Sequence, residues 1–299
     1  MNNSERKNFF WRKNTERLQG IGLHHISEDD YVNDPGLSRS EMLLWDKHFQ
    51  LMFLEKEPTK AQIFGTSFHK YFLEQEEWSA THLVEPDFEG KSKTTKADKG
   101  GCKEEWGEFK DRVKEEGKEP VTRSEISKFI SMKDSLLRDK FLLDVFERSK
   151  KEASVFFDHN EVLKGKARLD IWSQDSPMGP IVIDVKTCNS ANPANFSQAS
   201  RDYSYDRQGA YYLQALNACY DGLNCEEFWI AAVEKHPPYL MNMFRLDKQL
   251  LRHSTLENRS TINDITECVS SSEIFLGKME KQSYTDEPYI VGLDVLDNK

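Results

Sequence analysis

Apolar residues recur along this chain with two different periods, and the change comes near residue 150. Between about residues 38 and 146 they return every three to four positions, the spacing of helices that bury one face. Asp34-Pro35-Gly36 followed by Ser38-Arg39-Ser40-Glu41 predicts a capping box and a helix to about Leu54, which Pro58 stops. A second helix is predicted over about residues 61–77, with Ile63, Phe64, Ser67, Phe68, Tyr71 and Phe72 in one stripe. Thr122-Arg123-Ser124-Glu125 opens a helical region with Phe129, Met132, Leu136 and Leu137 on its core face, and another helix runs through about Phe146. Past Lys150-Lys151 the pattern becomes short β-branched and aromatic runs at 153–157, 167–172 and 181–186, punctuated by turn formers. A loop and a polar stretch are expected after Lys186, then a helix over about 206–221 and a buried strand at 228–233. Residues 240–246 would be that strand's hairpin partner, with a helix from about Asp247. There is no internal repeat and no second core, so the pattern predicts one α/β domain with a helical N-terminal layer.

Composition narrows this picture. Of 299 residues, 37% are hydrophobic and 31% charged, and no apolar run approaches a membrane span. The first twenty residues are polar and charged, which predicts no signal peptide. Cys102, Cys188, Cys219, Cys225 and Cys268 are scattered without a C-x-x-C pair, as expected of a reducing cytoplasm and not of structural zinc or an iron–sulfur cluster. The net charge of −10 argues against non-specific coating of nucleic acid. It leaves a metal-dependent nuclease open, because such a site is itself acidic when empty. Arg6, Lys7, Arg12, Lys13 and Arg17 with Phe9, Phe10 and Trp11 make a basic-aromatic arm, either a frayed terminus or a contact to DNA or a second subunit. Lys91, Lys93, Lys96 and Lys99 before Gly100-Gly101 predict a flexible loop within 88–120, either simply solvated or a clamp on phosphates.

The candidate chemistry lies between Lys166 and Tyr212. In Ile181-Val182-Ile183-Asp184-Val185-Lys186, strand alternation puts Asp184 and Lys186 on one face and Ile183 and Val185 on the other. In the preceding run, Leu169 and Ile171 are expected on the apolar face, with Arg168 and Asp170 opposite. A turn over 174–180 would bring Asp170, Asp184 and Lys186 together. Two carboxylates suit Mg²⁺, and a lysine beside them suits charge on a transferring phosphate. A bare Asp-x-Lys is more often a strand-edge ion pair. His69 lies nearly opposite the centre of its helix's apolar stripe, so it faces either solvent or a cleft. Gln208 and Tyr212 share a helix face at i and i+4.

Taken in order, Leu37-Ser38-x-Ser40, Gly65-Thr66-x-x-His69, Glu152, Lys164-Gly165-x-x-Arg168-x-Asp170, Asp184-Val185-Lys186-Thr187, Tyr205-Asp206-x-Gln208-x-Ala210-x-Tyr212 and Val233-Glu234-Lys235-x-Pro237 form one pattern. It resembles the RecE-type (exonuclease VIII) phage and prophage branch of the PD-(D/E)XK nuclease superfamily, from about Leu37 to Leu246. The resemblance implies a restriction-endonuclease-like core, a mixed central sheet flanked by helices, over residues 37–269. An arm at 1–36 precedes it, the 88–120 loop is inserted in it, and a tail at 270–299 departs from the family pattern. It implies Asp170, Asp184, the Val185 carbonyl and His69 as ligands of Mg²⁺, with Mn²⁺ as a substitute. Lys186 would be the catalytic lysine, and Gln208 and Tyr212 an accessory motif. Glu152 matches a glutamate of the family whose role here stays open between chemistry and a strand-end charge. Arg168, Lys96, Lys99 and Arg207 are the residues expected on DNA. The implied activity is digestion of linear duplex DNA from 5′ ends in phage-type recombination. It would take place in a bacterial host's cytoplasm with no membrane involved, in a ring-like trimer or tetramer and beside a single-strand annealing protein. An endonuclease of the same superfamily and a catalytically idle DNA-binding relative are the alternatives.

Overall fold

A computed structural model describes residues 19–48, 57–220 and 222–271. The basic-aromatic arm, the end of the first expected helix and the tail from 272 lie outside the described residues. Strand β1 (Gly22–His24) and helix α1 (Glu28–Asn33) come first, then α2 (Arg39–His48), α3 (Lys60–Leu73) and α4 (Gln75–Thr81). A small unit follows, made of β2 (His82–Val84), α5 (Lys103–Glu115) and β3 (Glu119–Val121), with β2 and β3 paired in parallel. Helices α6 (Arg123–Leu137) and α7 (Lys140–Arg148) lead into β4 (Lys150–Asp158), β5 (Lys164–Ser176) and β6 (Gly179–Cys188). Helices α8 (Pro193–Asp202) and α9 (Tyr205–Cys219) precede β7 (Glu227–Glu234), β8 (Met241–Arg245) and the long α10 (Lys248–Ser270).

The main sheet runs β1-β4-β5-β6-β7-β8. Its neighbours are antiparallel except β6 and β7, which are parallel. Parallel neighbours need a crossover, and α8 and α9 provide it. Strand alternation then divides the core. Ile181, Ile183 and Val185 of β6 pack with Phe68 of α3, Phe129 and Met132 of α6 and Leu142 of α7. Val182 packs on the other face with Tyr211 and Leu216 of α9, Ile265 of α10 and Met42 of α2. These four β6 side chains are fully buried, at about 1.5–3 kcal/mol each. A one-residue slip would turn Asp184 into the apolar layer, so the core fixes the register of the strand that carries it. Among the described residues no helix is long and apolar enough to cross a membrane.

Three expectations change. The helix predicted over 61–77 breaks at Glu74 (φ −131°, ψ 59°), between α3 and α4, and the Glu74 carboxylate accepts a bond from Arg168. The stretch after Lys186 is not only loop: α8 begins with Asn192 capping Ala194 N–H and Pro193 at the first helical position, a start signal that polar composition masked. Leu169 and Ile171 do not share a face. Leu169 packs with the α9 cluster and Ile171 with the α3–α6 cluster. The switch falls at Asp170, where Glu152 of the neighbouring strand is left-handed (φ 47°) between the Lys151–Ile171 and Ala153–Leu169 pairs.

Candidate active site

The kink that moves Leu169 and Ile171 to opposite faces also parts the sheet. The β5–β6 ladder runs from Ser176–Gly179 to Ile171–Ile183. Beyond it, Val185 N–H donates to Asp170 Oδ2 at 2.7 Å, so a side chain takes the place of a ladder partner. Into this opening α3 brings His69, whose Nδ1 lies 3.5 Å from Asp170 Oδ2. The Val185 carbonyl accepts a bond from His69. Glu152 completes a trio: one ligand atom each from His69, Glu152 and Asp170 lie within 4.8 Å of one another. Left-handed backbone at a residue with a side chain costs about 1–3 kcal/mol, and here it turns the Glu152 carboxylate toward the trio.

Behind the trio sits a second layer. Lys186 Nζ lies 2.6 Å from Asp184 Oδ2, and Gln208 Nε2 donates to Asp184 Oδ1 at 2.8 Å. Gln208 also shares a hydrogen bond with Tyr212. Gly209 lets α9 come this close, since a Cβ there would stand 2.7 Å from the Phe228 ring of β7. Arg168 closes one side, donating from Nε to Glu152 Oε2 at 2.6 Å and from Nη2 to Glu74 Oε1 at 2.9 Å. The space between is a cleft of about 450 Å³ lined by Thr66, His69, Glu152, Arg168, Asp170 and Tyr212 among others. A second groove of about 420 Å³, around Ile63, Phe64 and Pro120, is lined by none of the trio.

The charges do not balance within the cleft. Burial, reinforced by the Asp184 charge, pushes Asp170 up to about 8. Burial and the Asp170 charge push Glu152 up to about 7. Burial works to lower Lys186, but Asp184 and Asp170 outweigh it and hold the ammonium protonated. Burial lowers His69, keeping its imidazole neutral enough to be a ligand. Asp184 Oδ2 is buried and takes the Lys186 ammonium as its charge-assisted partner at 2.6 Å.

A sequence profile described as "PDDEXK-like domain of unknown function (DUF3799)" matches residues 45–280. The chain belongs to this PDDEXK-like family. No curated protein sequence matches it. Among solved structures it is similar to one named "Putative exonuclease" from Eubacterium rectale, at 14% identity and a TM-score of 0.55, covering 89% of this chain and 96% of that one. That likeness is one of fold. SSO0001 is 16% identical over 51% of this chain and 66% of its own, with a TM-score of 0.26.

Within this PDDEXK-like fold, the residues singled out from the sequence fall into three groups. His69, Glu152, Asp170 and Tyr212 line the cleft, and Asp184, Lys186 and Gln208 form the layer behind it, while the Val185 carbonyl, expected on the metal, is engaged by His69. Arg168 reaches it but is engaged by two carboxylates. Arg207 points elsewhere, to Asp46, Asn258 and Thr261, while Lys96 and Lys99 are exposed around a short 3-10 turn of the small unit. Glu74 and Arg39 were not anticipated, and Tyr205, which stands in the ordered motif, had been given no role. The signal for a role was its spacing, since it precedes Gln208 by three and Tyr212 by seven on the same helical stripe. The Lys186 ammonium lies 5.1 Å from its ring centroid.

The trio suits a divalent cation on the chemistry of its donors. Two oxygens and one imidazole nitrogen, with no thiolate, fit Mg²⁺ or Mn²⁺. Their raised carboxyl pKa values come first from burial and then from neighbouring carboxylates, a cost that a bound cation would offset.

Proposed function

We propose that this chain is a Mg²⁺-dependent deoxyribonuclease that digests linear duplex DNA from its 5′ ends. The observation that carries the reading is the His69–Glu152–Asp170 trio lining one cleft, with Asp184 and Lys186 behind it close enough for their charges to act on Asp170. A divalent cation bound to the trio would polarise the phosphate and acidify water, both of which hydrolysis of a phosphodiester requires. Lys186 keeps its proton and offers a fixed positive charge to the phosphoryl oxygens as negative charge builds on them. Asp184 and Gln208 hold that ammonium in place. Asp170 is oriented by the Val185 N–H. Arg168 offsets Glu152 and Glu74, so the wall of the cleft does not repel the substrate with its full acidic charge.

The family membership and the neighbour's name support the nuclease class, and the ordered motif supports the RecE-type direction and substrate. A ring-like trimer or tetramer, a single-strand annealing partner and a place in phage-type recombination belong to the same proposal. So does phosphate contact by the lysine loop. The test is digestion of linear duplex DNA labelled at one 5′ end, with Mg²⁺, Mn²⁺ or EDTA, beside a closed circle. Early release of labelled mononucleotide, only with metal and only from the linear form, is expected. Cutting of the circle would indicate an endonuclease, and binding without cutting an idle relative.

A further inference from the structure

The two crossover helices meet at Tyr203-Ser204-Tyr205, beside the cleft. Ser204 has a left-handed backbone (φ 52°, ψ 52°), a conformation that strains a residue with a side chain. It is clamped from outside: the half-buried Arg39 of α2 donates to the Tyr203 carbonyl and, at 2.7 Å, to the Ser204 carbonyl. The kink sets two rings side by side. Tyr203 and Tyr205 stack with centroids 5.7 Å apart and planes at 21°. Tyr205 is half-buried, backed by Phe196 at 6.0 Å, and the Lys186 ammonium sits 5.1 Å from its centroid. Tyr203 is the outer ring, and 59% of it is exposed.

We infer that Tyr203 and Tyr205 form a stacking platform for one nucleobase of DNA close to the scissile phosphate, an assignment that rests on the nuclease reading. An exposed aromatic on a strained, clamped segment offers a preformed face, and every base has a π-surface to match it. Stacking of this kind is indifferent to sequence, as an enzyme that digests any DNA requires. The distances agree: two steps of 5.1 and 5.7 Å separate the Lys186 ammonium from the outer ring, a reach of about one to three nucleotides at roughly 3.4 Å per step. Arg39 is a positioning residue, acting through the backbone of the platform and not on DNA. Tyr212 and Gln208 hold the charged layer, while this pair takes the base.

The experiment is equilibrium binding of a short linear duplex, with Ca²⁺ in place of Mg²⁺, read by fluorescence anisotropy. A single abasic nucleotide is scanned through the terminal positions. The wild type should lose roughly tenfold in affinity at one scanned position. Tyr203→Ala should lose about the same on intact DNA and ignore the abasic change at that position. Tyr203→Phe, which keeps the ring, should match the wild type and guard against a general folding defect. Wild-type affinity and wild-type abasic sensitivity in Tyr203→Ala would overturn the platform. So would an equal loss in Tyr203→Phe, which would assign the effect to the hydroxyl. Base-dependent binding by a protein that never cuts would sink the nuclease reading and leave the platform standing. Cutting without base dependence would do the reverse.

Discussion

Helix α9 carries two polar clusters of opposite character, one residue apart. Arg207 points to one side, where Nε donates to Asn258 Oδ1 at 2.9 Å, Nη2 to Thr261 Oγ1 at 3.0 Å, and Nη1 pairs with Asp46. Asn258 returns a bond to the Arg207 carbonyl, and Thr261 donates to Asp46 at 2.7 Å. This cluster ties α9 to α10 and α2, and each guanidinium nitrogen has a partner. Gln208 points to the other side, donating to Asp184, which lies behind Glu152 and Asp170, whose carboxyl pKa values are pushed up to about 7 and about 8. There Asp184 is held by Lys186, while Asp170 and Glu152 are buried and a neighbouring carboxylate adds to the proton affinity of each. A satisfied cluster holds structure. A cluster that the folded chain leaves out of balance is built for something that comes from solution.

The largest effect should come from removing charge on the unbalanced side. Lys186→Ala and Asp184→Ala are expected to lower the rate of DNA digestion by about 10²–10³-fold or more per folded molecule, with a native circular-dichroism spectrum. Wild-type digestion by either variant would remove the cleft from the mechanism. Arg207→Ala should behave in the opposite way. It breaks a largely buried network at about 1–3 kcal/mol of stability, while the digestion rate per folded molecule holds. Lost DNA affinity at unchanged stability would instead restore the DNA contact expected of Arg207 from the sequence.

The two sides should also answer differently to pH. Asp170 and Glu152 have folded-state pKa values raised above the ordinary carboxyl range. The metal-free fold therefore binds their protons more tightly than the unfolded chain does. Their stabilising contribution is complete below about pH 4 and is lost as pH rises through about 7 and 8. Thermal melts of metal-free protein should fall across that window, and Asp170→Asn should flatten the fall. Affinity for Mn²⁺, followed by calorimetry, should rise over the same window, because the ligands must shed protons. A flat profile in the wild type would mean that the carboxyls are ionised without help.

How much of this was legible beforehand depends on range. Local signals read well: the capping boxes at Ser38–Glu41 and Thr122–Glu125 are formed, and Asp184 and Lys186 share a face as the period-2 pattern requires. Gln208 and Tyr212 also lie on one face, joined by a hydrogen bond. What periodicity could not give was the kink at Asp170, because it is made by the backbone of Glu152 on another strand. The role of Arg207 was equally hidden. Its partners Asp46, Asn258 and Thr261 stand far off in sequence, and a lone arginine before Gln208 reads as a DNA contact until α10 is seen beside it. Strand β1 escaped notice for a similar reason, since three residues of Gly22–His24 show no alternation and gain their structure from pairing with β4.

The smallest effect belongs to lysines that are in neither cluster. Lys96 and Lys99 are exposed at a 3-10 turn on the small β2–β3 unit, whereas their neighbour Lys93 is engaged by Glu85 and lies 4.6 Å from the Trp106 centroid. Solvated lysines contribute to DNA binding by releasing counterions, about 0.9 in the slope of log K against log salt for each phosphate neutralised. The double variant Lys96→Ala/Lys99→Ala should therefore reduce that slope by at most about two. It should weaken binding most at low salt and leave the digestion rate at saturating DNA unchanged. Lys93→Ala should instead disturb the fold of the small unit, because its ammonium is already committed within it. If the double variant shows the wild-type slope, the loop is only a solvated surface, and the cleft must hold its substrate without a clamp.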